Sequence, residues 1–337
     1  MLSALWKNTR PTGLLKTLKH WIRQPAKGIG AALCLSALVA LTGCGEEKVQ
    51  DDTIRIGVAI PNFDDTFIVY MKDAMNDYAA TLNGKVELTI VDAKEDTAKQ
   101  LGQVENFIVQ QMDAIVVVPV NTDATQPMTD RVTKAGIQLV YVNRRPSYLP
   151  DGVYYVGSDE KKFGETQAQY VKDTMDSANI GILMGMLTQE ASLMRTEGIE
   201  EFFAQDAAFS VTRKQTGQWQ RALGMSVTEN WLNAGDKLDV ILSNNDDMAL
   251  GAIQALQAAG KLKDTLVVGI DATPDGLMAV ENGTLDATVF QDGGGQARGA
   301  IDAAINAVEQ KPFDKITWIP AELITQENLA AFKAKKG

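Results

Sequence analysis

The feature that most constrains the fold of this chain is a repeated alternation between short apolar runs and amphipathic helical segments. The stretch IRIGVAIPNFDDTF at residues 54–67 sets the pattern: its first half has an apolar residue at every second position, and it ends in a polar and aromatic tip. The helix that follows, with Thr66 as its candidate cap, carries apolar residues on one face. Six later runs repeat the pattern: AIVVVPVNTD, QLVYVNRRP, VYYVGSDE, DVILSNNDD, LVVGIDATP and ATVFQD. This alternation predicts an α/β fold with doubly wound parallel sheets.

The polar tips of these runs predict where a functional site lies. Each run ends in Asn, Asp, Gln or Arg, and we expect each tip to lead into a helix. In an open parallel sheet, the loops at the carboxyl ends of the strands meet at one crevice, so we expect these side chains to surround a common cavity. Carboxylate, amide and guanidinium groups engage neighbouring hydroxyls in pairs, and aromatic rings cover C–H faces. Such a lining favours a neutral polyol as the ligand.

The first 43 residues differ in composition from the rest. Residues 1–27 carry six Lys or Arg residues and no acidic residue, and residues 28–41 form a short apolar run shortly before Cys44. This pattern is typical of a secretory signal peptide, because about 20 apolar residues are needed to cross a bilayer. An uncut single-pass anchor is the alternative. The sequence Leu-Thr-Gly-Cys also resembles the lipobox of bacterial lipoproteins, which implies acylation of Cys44 and a lipid anchor in a membrane.

Loss of this signal segment would decide which chemistry the mature protein can perform. It removes six of the 32 basic residues and none of the 43 acidic ones, which leaves a formal charge of −17. Such a surface repels phosphate backbones, so nucleic acid is not an expected partner. The single histidine, His20, and one of the two cysteines, Cys34, also lie in this segment. With Cys44 acylated, Ser-His-Asp and Cys-His catalysis and His- or Cys-based metal sites are excluded.

The remaining chain divides into a tether and two lobes. Residues 44–52 are polar and lack periodicity, as expected of a tether. The rhythm changes near 144–160, where RRPSYLPDG is rich in turn formers and a strand follows without a helix before it. We interpret this break as the crossing to a second lobe. The predicted division is 53–145 plus 290–313 for the first lobe and 146–289 plus 314–337 for the second, with hinge segments near 144–150, 288–296 and 311–316.

From about residue 53 to its end the chain resembles the periplasmic sugar-binding proteins of ABC transporters, in particular the galactose-, glucose- and ribose-binding group. The resemblance is carried by IGVAIPNFDDTF, QLGQVENFIVQQMDAIVVVPV, AGIQLVYVNRRP with YYVGSDE, ILSNNDDMALGAI, VVGIDATPDGL and ATVFQDGGGQARGA. It implies the type I periplasmic binding protein fold, in which two hinged lobes close on a small sugar or cyclitol. It further implies a monomer without cofactor or enzymatic activity that delivers its ligand to an ABC permease and its ATPase.

The same motifs carry nine candidate ligand-binding residues over from that family. DDTF supplies Asp65 as a hydrogen-bond acceptor and Phe67 as a stacking ring. VNRRP supplies Asn143 and Arg144. The resemblance implies five further residues on the side of the second lobe: Arg195, Trp219 as the opposing ring, Asn245 and Asp271 as partners of hydroxyls, and Gln291 on a hinge strand.

Several of these residues also have a purely structural interpretation. Phe67 and Trp219 could be core aromatics, the commoner role for such side chains. Asp271 stands just before Thr273-Pro274 and could shape the start of a helix, while Asn245 lies in a run suited to helix capping. Agreement of five polar candidates with one ligand pattern favours the binding interpretation.

Departures from the galactose-binding branch bear on metal and ligand. The stretch DSANIGILMG lacks the closely spaced acids and amides of that branch's calcium loop, so we expect no metal. Residues 187–191, Leu-Thr-Gln-Glu-Ala, lack the His and Asp that the branch uses just before the arginine matched by Arg195. VNRRP and MGMLTQEASLMRT are similar to the inositol- and rhizopine-binding members. The expected order is a cyclitol such as myo-inositol first, a pentose or another hexose second, and galactose or glucose last.

Three classes of function fit a polyol cavity. The first is a lipid-anchored receptor of an ABC import system, located in the periplasm. The second is a sensor whose closed form engages a chemoreceptor or sensor kinase, and the sequence does not separate it from the first. The third is a sugar-cleaving enzyme with Asp65 and Asp271 as its two carboxylates. We expect neighbouring arginines to lower the pKa of both groups, which disfavours a protonated catalytic acid.

Overall fold

The computed structural model describes residues 52–336, which form two six-stranded sheets with helices on both faces of each. The strands of the first sheet are β1 (Ile54–Ile60), β2 (Val86–Asp92), β3 (Ala114–Val117), β4 (Gln138–Val142), β5 (Val153–Gly157) and β11 (Ile316–Trp318). Those of the second are β6 (Ala178–Met184), β7 (Phe209–Thr216), β8 (Val240–Ser243), β9 (Leu266–Asp271), β10 (Ala287–Phe290) and β12 (Glu322–Thr325). The helices are α1 (Thr66–Thr81), α2 (Thr97–Val109), α3 (Gln126–Lys134), α4 (Glu160–Thr174), α5 (Glu190–Phe203), α6 (Arg221–Asn233), α7 (Asp246–Ala258), α8 (Pro274–Glu281), α9 (Gly293–Val308) and α10 (Leu329–Lys336).

The first sheet has the order β11-β5-β4-β3-β1-β2, and all of its neighbouring strands are parallel. Alternate residues of β1 serve its two faces: Val58 packs with α1 and α9, and Ala59 packs with α2 and α3. Gly57 lets the ring of Phe107 lie directly on the strand, since a Cβ at this position would overlap the ring. The sheet is therefore buried on both faces, as its near-continuous apolar strands predict.

The second sheet has the order β12-β10-β9-β8-β6-β7, and its edge strand β12 runs antiparallel to β10. Helices α4 and α5 pack on one face, while α6, α7, α8 and α10 pack on the other. Glycines allow two helix pairs to approach closely. A Cβ on Gly164 or Gly198 would overlap backbone between α4 and α5, and one on Gly224 or Gly251 would do so between α6 and α7. These contacts fix α5, which carries Arg195, and α7, whose N-cap is Asn245, and both residues belong to the site described below.

The chain crosses between the sheets three times: from β5 to α4, from β10 to α9, and from β11 to β12. The predicted lobe boundaries are wrong at two of these points. Strand β5 pairs with β4, and β11 pairs with β5, so residues 146–157 and 316–318 belong to the first sheet. The turn-rich stretch is a helix-free loop inside the first sheet rather than a crossing. We call residues 53–157 and 293–318 the first lobe, and residues 160–290 and 322–336 the second lobe.

The remaining differences from expectation are local. Asp65, and not Thr66, caps α1, because its Oδ1 accepts a hydrogen bond of 3.1 Å from the backbone N–H of Ile68. Thr273 caps α8 ahead of Pro274. The sequence analysis did not find β12 or α10, which are only four and eight residues long. Elements this short carry a weak periodic signal.

The predicted signal segment 1–43, Cys44 and the tether up to residue 51 lie outside the described residues. Their processing and acylation therefore stay predictions. Between residues 52 and 336, none of the helices has the length and apolar character that a bilayer span requires.

Candidate ligand-binding site

Loops at the carboxyl ends of strands from both sheets enclose a cavity between the two lobes. Its volume is about 330 Å³, part of it open to solvent. The lining consists of Asp65, Phe67, Ile68, Asn143, Arg144, Ala191, Arg195, Trp219, Asn245, Asp271 and Gln291. All nine candidates from the sequence are in this set, and the two apolar residues Ile68 and Ala191 are additions. The structure thus brings the candidates together, while their part in binding stays a prediction.

Arg144 is the buried cation on the side of the first lobe, directly after β4. Its Nη1 donates a hydrogen bond of 3.2 Å to the carbonyl oxygen of Pro119, which orients the guanidinium. Its Nη2 lies 3.9 Å from Oδ2 of Asp65, and its Nη1 lies 3.9 Å from Oε1 of Glu95. Both distances exceed hydrogen-bond length. The guanidinium and the Asp65 carboxylate therefore form a loose pair that can still reach a ligand oxygen.

Asn143 is held in the left-handed backbone region, with φ of 66°. Asparagine tolerates this region better than most residues do. Two neighbours fix it: the hydroxyl of Tyr155 donates to its carbonyl oxygen at 2.8 Å, and its Nδ2 donates to Oε1 of Gln296 at 3.0 Å. These bonds use one of the two amide hydrogens, so the other hydrogen can donate to a ligand and Oδ1 can accept from one.

Arg195 is the buried cation on the side of the second lobe, in the second turn of α5. Its Nε donates to Oε2 of Glu160 at 2.6 Å, and its Nη1 donates to the carbonyl oxygen of Asn244 at 2.6 Å. Its Nη2 donates to Oε1 of Gln291. The guanidinium also lies 5.6 Å from the ring centroid of Trp219. A planar group with five fixed donors suits this position, where a flexible ammonium would not reach all partners.

Asp271 ends β9 in a strained conformation, with φ of 119°, and Ala272 follows with φ of 54°. Two bonds stabilise this turn: Ala272 N donates to Oγ1 of Thr288 at 3.1 Å, and that hydroxyl donates to Oδ1 of the buried Asp246 at 2.7 Å. Asp246 also accepts from the backbone N–H and the hydroxyl of Thr273. Strain of this kind persists only where the surroundings enforce it, and here it places the Asp271 carboxylate in the cavity.

The pKa values of both cavity carboxylates differ from the expectation that arginines would lower them. Burial raises the pKa of Asp65, against the opposing effect of Arg144. Burial also raises the pKa of Asp271 well above its ordinary value, against Arg195. Desolvation dominates because each arginine nitrogen stands 3.9 or 4.0 Å from its carboxylate instead of in hydrogen-bond contact. Ligand hydroxyls that donate to these oxygens would favour the charged forms.

Two rings contribute apolar surface from opposite lobes: Phe67 from α1, and Trp219 from the loop before α6. Trp219 has φ of 66°, and its indole lies against Gly185, where a Cβ would overlap the ring. Its carbonyl oxygen accepts a hydrogen bond of 3.1 Å from Nδ2 of Asn245. Both rings are in the cavity lining, so neither is only a core aromatic.

Capping and cavity lining turn out to be compatible roles. Asn245 caps α7 through a bond of 3.0 Å from the N–H of Met248 to its Oδ1, and Asp65 caps α1. Asp271 does not cap α8, since Thr273 does. A strand that ends in a cap residue places that residue at the rim of the sheet, which is also the rim of the cavity.

The sequence analysis missed the buried polar residues behind the lining. Glu160, Asp246 and Gln296 are at most 2% exposed and hold Arg195, the Asp271 turn and Asn143 in place. Each lies in the first turn of a helix that follows a strand-end motif. A polar residue at such a position, on the face that the helix buries, is the signal that could have found them. Within residues 52–336, no group of three or more His, Cys, Asp or Glu side chains could hold a metal ion.

Two α/β lobes around a polar cavity with an aromatic ring from each side define a two-lobed solute-binding protein. The chain belongs to the periplasmic binding protein family: the family profile described as "Periplasmic binding protein domain" matches residues 56–312. This membership confirms the predicted type I fold and the prediction of a binding protein instead of an enzyme.

Three similar proteins place the chain within that family. A protein of Rhizobium meliloti named for rhizopine binding is 44% identical over 83% of this chain and 93% of its own length. The structure of an ABC transporter solute-binding protein from Bacillus halodurans with bound myo-inositol has a TM-score of 0.80 at 40% identity, over 85% of this chain and 99% of that one. The Caulobacter myo-inositol binding protein has a TM-score of 0.78 at 29% identity, over 82% of this chain and 95% of that one.

Proposed function

We propose that this protein is the periplasmic receptor of an ABC import system and that its ligand is a cyclitol, with myo-inositol ranked first. A pentose or another hexose ranks second, and galactose or glucose last. The receptor captures the ligand between its lobes and delivers it to a membrane permease. The similarity to two structures that contain myo-inositol supports this ranking.

One observation carries the proposal: the cavity presents a loose arginine and carboxylate pair from each lobe. Arg144 and Asp65 contribute one pair, and Arg195 and Asp271 the other, at 3.9 and 4.0 Å. A ring that carries a hydroxyl on every carbon can donate to a carboxylate and accept from a guanidinium on both sides at once. The two aromatic rings then cover its C–H faces. An acyclic or less hydroxylated ligand would leave some of these buried groups unpaired, at about 1–3 kcal/mol each.

Titration calorimetry with the mature protein tests the ligand. Myo-inositol, ribose, xylose and galactose are titrated in parallel, and we expect myo-inositol to bind most tightly. Asp271→Asn keeps the shape of the side chain but removes its charge, and it should weaken binding, whereas the same exchange at the exposed Asp264 should not. Tight binding of galactose without binding of myo-inositol would overturn the ranking. Failure of every polyol would overturn the proposed function.

We further propose that the lobes close around the ligand by bending at the three crossing segments. Thr66 of the first lobe donates a hydrogen bond of 2.7 Å to Oδ2 of Asp247 of the second, which supports a closed arrangement as one state of the receptor. A ligand that touches both lobes binds the closed state selectively, and a shift from 1:99 to 99:1 needs about 5.5 kcal/mol of differential binding. Small-angle scattering should show a smaller radius of gyration with ligand. An unchanged profile at saturation would contradict closure.

Lipid anchoring at Cys44 completes the proposal. It rests on the Leu-Thr-Gly-Cys sequence at the end of the predicted signal segment. Radiolabelled palmitate should enter the wild-type protein, and Cys44→Ser should abolish the label and release the protein from membranes or leave it unprocessed. Equal membrane retention of the two forms would contradict anchoring.

A further inference from the structure

Gln189 is a fully buried residue that the ligand cavity does not touch, yet it links the cavity to the opposite lobe. It stands just before α5, at a helix start where its side chain makes no capping bond. Its Oε1 instead accepts a hydrogen bond of 2.7 Å from Nε1 of Trp219. Its Nε2 donates to the carbonyl oxygen of Val120 at 3.4 Å. Trp219 belongs to the second lobe and Val120 to the first, so one amide joins the aromatic wall of the cavity to the facing lobe.

The residues on both sides of Gln189 attach to the same loop of the first lobe. The backbone N–H of Thr122 donates to the carbonyl oxygen of Thr188 at 3.1 Å. The backbone N–H of Glu190 donates to Oγ1 of Thr122 at 3.1 Å. Residues 188–190 therefore meet the loop 120–122 through three consecutive residues. Separation of the lobes breaks these bonds together, because all of them cross the cleft.

The indole of Trp219 is partly buried against the apolar core of the second lobe, and its polar edge makes one hydrogen bond. One side of the ring lies against Gly185, and the guanidinium of Arg195 is 5.6 Å from its centroid. An indole has a single polar group, its N–H, and Gln189 is the acceptor that this group uses. A buried amide strongly disfavours leaving its donor or acceptor unpaired. The Nε2 of Gln189 also donates to Sδ of Met186, in its own lobe, at 3.3 Å. When the lobes separate and the Val120 contact is lost, the amide therefore keeps this partner and can turn toward it, and the indole can turn with the amide.

We infer that Gln189 is a positioning residue that couples closure of the lobes to the orientation of Trp219 in the ligand cavity. The inference rests on the proposed function, since Trp219 matters there as the ring that covers the ligand. Gln189 acts through Trp219 and does not contact the ligand. Because Gln189 bonds both Trp219 and the facing lobe, closure of the lobes also places the indole. In the open receptor the orientation of the Trp219 ring in the cavity is therefore less well fixed.

Indole N–H resonances test this inference directly. Beyond residue 44 the chain has three tryptophans, Trp219, Trp231 and Trp318, so ¹⁵N-labelled protein gives three well-separated candidates, and Trp219→Phe identifies the relevant one. Gln189→Met keeps the length of the side chain and removes its three hydrogen bonds, to Trp219, Val120 and Met186. We expect it to shift the Trp219 resonance in ligand-free protein. Gln205→Met, the same exchange at an exposed site, should leave all three resonances in place.

A second variant distinguishes coupling between lobe closure and Trp219 from the direct contact between Gln189 and Trp219. Thr122→Val removes the acceptor for Glu190 without touching Gln189 or Trp219. With saturating myo-inositol we expect it to move the Trp219 resonance in the same direction as Gln189→Met. Both variants should raise Kd about tenfold, mostly through faster dissociation. The control should not change Kd.

Outcomes against the inference are distinct from failure of the proposed function. An unmoved Trp219 resonance in ligand-free Gln189→Met overturns the inference whether or not any polyol binds. Weaker ligand binding by Thr122→Val with an unchanged Trp219 resonance overturns the inference as well, because the loop 120–122 would then affect affinity without changing the orientation of the indole. Absence of polyol binding by the wild type overturns the proposed function and, with it, the role of Trp219 as a ligand wall.

Discussion

Arg145 of the first lobe and Glu190 of the second form an ion pair across the cleft, with 3.2 Å between Nη2 and Oε1. Burial, together with repulsion from Glu160, raises the pKa of Glu190 to about 7, against the effects of Arg145 and Arg195. Oε2 of Glu190 has no hydrogen-bond partner among the described residues. Glu160 and Arg195 belong to the same lobe as Glu190, whereas contact with the facing lobe adds to its burial, and opening relieves that part of the burial. The protonation of Glu190 is therefore linked to closure.

We expect ligand affinity to fall as the pH rises from about 5 to about 8. The ordinary pKa of Glu190 is 4.5 and its pKa in the closed protein is about 7, so the closed state binds the proton more tightly. Protonation therefore favours closure fully below pH 4.5, and this contribution is lost as the pH rises through 7. Calorimetric titration with myo-inositol across this range measures the slope.

Glu190→Gln serves as the control for this dependence. The amide imitates the protonated carboxyl, so the variant should lose part of the slope and bind more tightly than wild type near pH 8. Burial also raises the pKa values of Asp65 and Asp271, but ligand hydroxyls favour their charged forms, so these two groups act in the opposite direction and their contribution remains in the variant. Parallel slopes for the two proteins would contradict a role for Glu190.

Arg195→Met should destabilise the protein by about 3–5 kcal/mol, because it leaves Glu160 as an unpaired buried charge. Urea denaturation gives the free energy of unfolding. Glu160→Gln in the same background should recover much of the loss, since it removes the carboxylate in direct hydrogen-bond contact with Arg195 and leaves only the more distant Asp271 without its counter-charge. Arg213→Met removes a surface pair with Asp236 and should cost no more than about 1 kcal/mol. Equal losses of unfolding free energy in Arg195→Met and Arg213→Met would show that the buried pair of Arg195 and Glu160 contributes no more to stability than a surface pair.

Gly185→Ala should weaken ligand binding by displacing the indole of Trp219, which a Cβ at this position would overlap. Near-UV circular dichroism reports the movement of the ring, and calorimetry reports Kd. Gly102→Ala is the matched control: it lies in α2 with no atom near the new methyl group, and alanine there should stabilise by about 0.5–1 kcal/mol. In a variant that combines Gly185→Ala with Trp219→Phe, the smaller ring should relieve the overlap. Binding by the single variant Gly185→Ala that equals wild type would contradict this prediction.

Thr288→Val should disturb the strained turn that holds Asp271. The exchange keeps the shape of the side chain but removes the acceptor for the N–H of Ala272 and the donor to Asp246. We expect a loss of about 1–3 kcal/mol in the free energy of unfolding and weaker binding of myo-inositol. Thr166→Val, on the surface of α4, is the control. A variant that loses stability but binds myo-inositol normally would show that the hydrogen bonds of Thr288 do not determine the position of Asp271.

The grouping of the candidate residues around one cavity was predictable from the sequence because the motifs lie at strand ends. Asp65, Asn143, Asn245 and Gln291 each follow a strand by a few residues at most, and parallel strands align these positions along one edge. Element order and type could be read in the same way. The periodic pattern of apolar residues depends only on nearby positions in the sequence, so it identifies helices and strands even when the pairing of the strands is unknown.

What the sequence did not reveal depends on contacts between distant segments. Strand β5 looked like the start of a new lobe because no helix precedes it, and only its pairing with β4 and β11 corrects this. Glu160 and Gln189 likewise have no local signature of their roles. Their partners Arg195 and Trp219 are distant in sequence, and burial gives these polar side chains their importance.

The return of the chain to the first lobe has a consequence for biosynthesis. The core of that lobe needs Ile301 and Ile305 of α9, and its edge strand ends only at Trp318. A ribosome must therefore complete nearly the whole polypeptide before the amino-terminal half can bury its apolar surface. Non-local contacts of this kind slow folding. For a protein that works in the periplasm, we expect this late closure to keep the amino-terminal half of the nascent polypeptide from becoming compact until most of the chain has been synthesised.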